Sequence, residues 1–125
     1  MAVDGNEDEL PQLLAAGADV TVEADVYSPD GRMPGLGVGV VRSDGSGLFG
    51  TSSQLDEARP EQIDGSHWRF RVHLMNLPLL PASYILRLHA LDPEGLRLFD
   101  TVERGLTVRG ASRHLGCIVI ERKWG

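Results

Sequence analysis

The chain is expected to fold as an all-β, immunoglobulin-like antiparallel β-sandwich of about eight strands. Three observations carry this expectation. Apolar residues recur at every second position in most segments, turn signals built on Gly, Pro, Asp and Ser fall roughly every ten residues, and helical periodicity is nearly absent.

The elements follow in order. Asp19–Tyr27 places Val20, Val22, Ala24 and Val26 on one face and Thr21, Glu23 and Asp25 on the other, as in a half-buried strand. Ser28-Pro-Asp-Gly31 is a turn, in which Pro presets φ and Gly accepts a positive one. Leu36–Arg42 is the next strand, with Leu36, Val38 and Val40 inward. Ser43-Asp-Gly-Ser-Gly47 is a hairpin signal, and Leu48–Ser52 is its return strand. Gln54–Gly65 is polar, contains Pro60 and lacks a period, so it is expected to be a loop. Trp68–Leu74 alternates again, with Trp68, Phe70, Val72 and Leu74 opposite Arg69, Arg71 and His73, which assigns Trp68 to the core. After Pro78–Pro81, the strand Tyr84–Leu91 turns Tyr84, Leu86, Leu88 and Ala90 inward, and Asp92-Pro-Glu-Gly95 is a further turn. Leu96–Thr101, Gly105–Val108 and His114–Trp124 complete the set. Pro81-Ala-Ser-Tyr84 sets a tyrosine after a proline corner, as in the tyrosine corner of Greek-key sandwiches; an ordinary core tyrosine is the alternative. The helical candidate, Glu7–Ala16, is interrupted by Pro11 and ended by Gly17.

At 125 residues the chain fits one domain and can bury roughly 65–70% of its unfolded surface. Residues 1–9 are acidic and expected to be disordered, leaving 10–125 as a single sandwich domain. The first ten residues lack a basic and apolar leader pattern, so no secretory signal is expected, and no apolar run approaches the ~20 residues of a membrane span. Lone Cys117 cannot form an internal disulfide, which suits a reducing compartment. The net charge of −6 argues against nucleic acid as a partner. That charge is uneven: twelve acids and three arginines lie up to Gln62, six acids and nine basic residues after it.

The chemistry of an enzyme is missing. No phosphate-binding Gly-x-x-x-x-Gly-Lys-Ser/Thr and no Gly-x-Ser-x-Gly nucleophile elbow occur. His67, His73, His89 and His114 fall in separate segments, so no metal site is expected, and no cofactor is implied. The carboxylates sit mostly in turns and in the acidic N-terminus, where solvent keeps them ionised. A binding module is the expectation.

The outward faces supply its surface. On Leu36–Val41 the outward residues are Gly37, Gly39 and Val41, and alternate glycines in a strand commonly mark close approach by a ligand or another backbone. Ile85, Arg87, His89 and Leu91 are outward on Tyr84–Leu91. These two strands occupy positions C and F of an immunoglobulin-like sandwich, which are neighbours. A glycine floor flanked by Arg87 and His89 makes a shallow groove whose donors suit hydroxyl pairs or an anionic group. Arg97 and Phe99 can line the same face, Phe99 as a flat ring for a sugar. The alternative is that Arg87 and His89 are solvated strand residues and Phe99 is core. Trp124 is a further aromatic candidate. The apolar run Cys117–Ile120 makes the last strand one that can pair within its own subunit or be exchanged with a neighbour.

A set of features in order carries a resemblance: Ala18–Tyr27; Leu36–Gly50, read as Leu-Gly-Val-Gly-Val-Val-Arg-Ser-Asp-Gly-Ser-Gly-Leu-Phe-Gly; Leu77–Tyr84; Leu88–Gly95; Phe99-Asp100; Leu106-Thr-Val108; and a chain end at Trp124. Together they resemble the C-terminal carbohydrate-binding domain of Wzt-type ATP-binding subunits, which belong to ABC transporters exporting bacterial O-antigen polysaccharide. Pro-Ala-Ser-Tyr84 departs from the family, which usually carries Gly two residues before the Tyr. The resemblance implies a cytoplasmic, non-catalytic domain that recognises the modified non-reducing end of a finished glycan. It further implies a homodimer made by exchange of the terminal strand, working with the transporter's ATPase and membrane subunits, peripheral to the inner membrane and not inserted in it. No ATPase motif is present, so the chain is expected to be an excised domain or a free-standing relative. The runner-up is a protein–protein interaction or dimerisation domain of a polysaccharide-assembly or transport complex.

Overall fold

The computed structural model describes residues 1–7, 10–95, 98–110, 118, 120 and 122–124, with Leu98 and Phe99 described through their backbone only. The described residues form nine strands and no helix: β1 (Ala2–Val3), β2 (Gln12–Ala15), β3 (Val20–Tyr27), β4 (Gly35–Arg42), β5 (Gly47–Ser52), β6 (Glu61–Gln62), β7 (His67–Leu74), β8 (Ala82–Leu91) and β9 (Leu98–Arg109).

The strands lie in two sheets, ordered β1-β3-β7-β6 and β2-β9-β8-β4-β5. This is the strand arrangement of an immunoglobulin-like sandwich, with β4 and β8 adjacent as positions C and F require. All pairs are antiparallel except β2–β9, which is parallel. The core lies between the sheets, where the alternating residues of β3 (Val20, Val22, Ala24, Val26) meet Leu36, Val38 and Val40 of β4 and Leu86 and Leu88 of β8. Tyr84 is buried, and its hydroxyl donates to the Leu80 carbonyl at 2.6 Å, so the tyrosine corner forms. The three turns read from Gly and Asp close as expected. Gly31, Gly45 and Gly95 all adopt positive φ, and Gly95 N–H reaches the Asp92 carbonyl at 2.9 Å.

Four expectations require correction. Gln12–Ala15, read within a helical candidate, is strand β2 along β9. The acidic start is drawn into the fold: Ala2–Val3 pairs with β3, and Val3 is fully buried. Glu61–Gln62, inside the expected loop, adds a short edge strand opposite Arg69 and Trp68. Trp68 is only half-buried.

Of the two separate strands expected over Leu96–Val108, the described part, from Leu98 on, is one continuous strand, β9. Its inward residues include Arg104, which is 4% exposed. That side chain ties the N-terminal segment to the sheet. Its Nε donates to the Leu10 carbonyl at 2.5 Å and its Nη1 to the Asn6 carbonyl at 3.1 Å. The expected last strand, His114–Trp124, falls mostly outside the described residues. Within it, Ile118 forms an antiparallel bridge to Leu79, while Arg122–Trp124 carry no strand structure and Trp124 is 90% exposed.

The outer face of the four-stranded sheet is a charge ladder. Arg69 Nε donates to Asp25 Oδ1 at 2.8 Å, Arg71 Nη2 to Glu23 Oε2 at 3.0 Å, and Thr21 shares a 3.1 Å hydrogen bond with His73. These groups satisfy one another across the β3–β7 register.

Candidate functional site

The opposite outer face, that of the five-stranded sheet, is built differently. In the β4–β8 register Gly37 stands opposite His89 and Gly39 opposite Arg87; in the β8–β9 register His89 stands opposite Thr101 and Arg87 opposite Glu103. Two rows therefore cross the sheet, Gly37–His89–Thr101 and Gly39–Arg87–Glu103. Residues directly opposite share a face, so each glycine leaves a gap beside a polar side chain.

The gap is a groove of about 430 Å³ over β5, β4 and β8. Gly37, Gly39 and Val41 line it, with Arg87, His89 and Leu91 along one side and Phe49, Gly50 and Leu55 along the other. Five of the seven residues expected to form a ligand site thus lie on one concave surface. Arg97 is outside the described residues, and Phe99 is placed in β9 through its backbone alone. Trp124 and Trp68 do not line the groove.

The two glycines serve different ends. A Cβ on Gly37 would meet His89 Cβ at 3.4 Å and Cδ2 at 3.5 Å, so the imidazole already lies against β4 there. A Cβ on Gly39 would meet only the Phe49 carbonyl, at 3.6 Å, so open floor lies above Gly39. Val41 is more covered than simple alternation implies, because the β4–β5 register shifts between Val40 and Val41 and both become buried.

The polar groups have defined partners. His89 Nδ1 and Thr101 Oγ1 share a 2.9 Å hydrogen bond, which orients the ring. Arg87 Nε lies 3.5 Å from Glu103 Oε1 and, though buried, has no hydrogen-bond partner among the described residues. Glu103 was missed in the sequence because Val102-Glu103-Arg104 falls between the expected strands Leu96–Thr101 and Gly105–Val108, and Thr101, at the end of the first, was not assigned to the groove face. The outward period Thr101, Glu103, Gly105 was the available signal. Leu55 was missed inside a segment read only as polar loop.

Among the described residues, the carboxylates with displaced pKa values all shift downward, and none lines the groove. Hydrogen bonds from Arg69 hold Asp25 below the usual range, and those from Arg32 do the same for Asp30. Backbone N–H groups of Ser46 and Ser66 lower Asp44 and Asp64 within their turns. Among the described residues the groove lining offers one cation, one imidazole and apolar walls.

No protein-family model matches the sequence, and no curated protein matches it. Among solved structures, an immunoglobulin domain in the ZIG-8–RIG-5 IG1–IG1 heterodimer aligns at TM-score 0.40 and 14% identity, over 84% of this chain and 86% of that one. The C-terminal domain of Wzt aligns at TM-score 0.55 and 20% identity, over 90% of this chain and 72% of that one, and the fold described above is similar to that of the Wzt domain.

Proposed function

We propose that the protein is a non-catalytic glycan-binding module that recognises a bacterial O-antigen-type polysaccharide, at its modified non-reducing terminus, for export by an ABC transporter. The observation that carries this reading is the glycine-floored groove, where Gly39 leaves open floor beside the donors Arg87 and His89. A sugar ring is flat enough to lie on bare backbone and presents hydroxyls to donors at the edge. The similarity of fold to the Wzt C-terminal domain supports the same reading. On it, the module works on the cytoplasmic side with an ATPase and membrane subunits.

Titration of the source organism's O-polysaccharide, followed by calorimetry or by amide shifts at Gly39 and Gly50, tests this. Arg87→Ala and His89→Ala are each expected to weaken binding about fivefold or more while leaving the fold intact, the loss of a hydrogen bond to ligand being worth ~1 kcal/mol or more. Absence of binding to any such glycan refutes the reading.

A second reading, a dimerisation or docking role, is favoured by a separate apolar hollow of about 370 Å³ lined by Leu48, Phe49, Leu74, Met75, Leu79 and Ile118. Ile118 reaches it through its bridge to Leu79, and Met75 is 75% exposed beside it. On this reading the C-terminal segment is the element exchanged between two copies. Deleting residues 115–125 then converts a dimer seen by light scattering into a monomer; a full-length chain already monomeric excludes exchange.

A further inference from the structure

We infer that the groove selects an uncharged sugar with an apolar edge, of the kind a 6-deoxyhexose presents, and that Leu55 is the residue that reads this edge. The inference rests on the glycan-binding reading above and adds the ligand's charge and the contact that discriminates it.

Charge is the first ground. Arg87 is the one Arg or Lys among the described groove residues, and Glu103 Oε1 already lies 3.5 Å from its Nε. An anionic sugar must compete with Glu103 for Arg87 and meets repulsion from that carboxylate. A neutral sugar meets neither, and can take hydrogen bonds from Arg87 and His89 without displacing Glu103.

The second ground is the rim. Leu55 lines the groove yet is 78% exposed, a large apolar side chain held in water. Its loop is pinned rather than loose. Leu55 N–H donates to Ser52 Oγ at 3.1 Å and Ala58 N–H to the Ser53 carbonyl at 2.8 Å, while Ser53 Oγ accepts from Leu36 N–H at 3.0 Å. The Gln54 amide fills the space where Gly35 has no side chain and donates to the Asp92 carbonyl at 3.3 Å. The loop is thereby fastened to β4 and to the β8–β9 turn, with Gln54 and Gly35 as positioning residues. An exposed leucine on such a support is an apolar contact whose ordering cost has been met before the ligand arrives.

The test is an NMR titration of the full chain with the methyl glycosides of mannose, galactose and glucose, each beside its 6-deoxy and 6-carboxylate counterparts, and with the O-polysaccharide in parallel. For the ring configuration that binds, the 6-deoxy sugar is expected to bind about fourfold tighter than the parent hexose, because no hydroxyl is desolvated against Leu55, and the uronate more weakly than both. Leu55→Ala, a surface change, is expected to bring that preference to about unity while the shifts at Gly39 and Gly50 persist. Glu103→Gln is expected to raise uronate binding severalfold by releasing Arg87. A uronate that binds tightest, a 6-deoxy preference untouched by Leu55→Ala, or polysaccharide binding without discrimination among the sugars overturns this inference and leaves the glycan reading standing. No shift with the polysaccharide or any of the sugars overturns both.

Discussion

Replacing Gly39 with alanine is expected to raise stability and lower ligand affinity through a single methyl group. The added Cβ meets only the Phe49 carbonyl at 3.6 Å, an ordinary contact, and Gly39 is not among the glycines with positive φ. Alanine at a compatible glycine position stabilises by about 0.4–1 kcal/mol, mainly by restricting the unfolded chain. For a chain of 125 residues, at an unfolding entropy of about 2.1 cal/mol/K per residue, this is a Tm rise of about 2–4 °C. The same methyl lifts the groove floor by about 1.5 Å, one carbon–carbon bond, at its open point. Contacts overpacked on that scale cost about 1–3 kcal/mol, or about 5- to 150-fold in Kd. Scanning calorimetry reads the first change and titration with the polysaccharide the second. Wild-type affinity in a stabilised Gly39→Ala refutes a ligand resting on this floor, and a lowered Tm refutes the open space above it.

Other consequences follow from the same contacts. Gly35→Ala puts a Cβ onto Gln54 Nε2, evicting the amide from Asp92. Gly35→Ala and Gln54→Ala are each expected to cost about 0.5–1.5 kcal/mol in urea unfolding, and the double variant no more than either, since both remove one hydrogen bond. Tyr84→Phe strips the donor from the buried Leu80 carbonyl and is expected to lower Tm by about 4–12 °C, equivalent to about 1–3 kcal/mol. Arg104→Met withdraws the guanidinium from the Leu10 and Asn6 carbonyls and is expected to speed amide exchange at Leu13 and Leu14 of β2. On acidification, Asp25 contributes stability that is present above the ordinary carboxylate pKa and lost as pH falls through its own lower value. Arg69→Gln is expected to move the Asp25 titration, followed by NMR, back up toward the ordinary range.

Much of this architecture was legible where alternation was clean. Val20–Val26 and Tyr84–Ala90 announce their buried faces by period alone, and Gly31, Gly45 and Gly95 announce the turns because positive φ is strained for residues with a side chain. Placing these strands as C and F neighbours brought Gly37, Gly39, Val41, Arg87 and His89 onto one face before any coordinates. Illegibility had three physical causes. In β9 a buried arginine occupies a core-facing position, so the hydrophobic pattern breaks at the point where Glu103 and Thr101 enter the site. Strands β1 and β2 are too short to show a period, and they form because distant partners pair with them. Leu55 belongs to a third kind, a loop residue whose importance comes from hydrogen bonds made by its neighbours.

The parallel pairing of β2 with β9 also orders events in time. Gln12 pairs with Leu106, and the Leu10 carbonyl waits for Arg104, 94 residues later in the chain. At a synthesis rate of about 5–20 residues per second, the β2 segment waits about 5–20 s after it leaves the ribosome before its β9 partner follows. During that interval β8 lacks its β9 neighbour, and the forming groove lacks Glu103 and Thr101. The groove face is therefore completed by the same strand that captures β2.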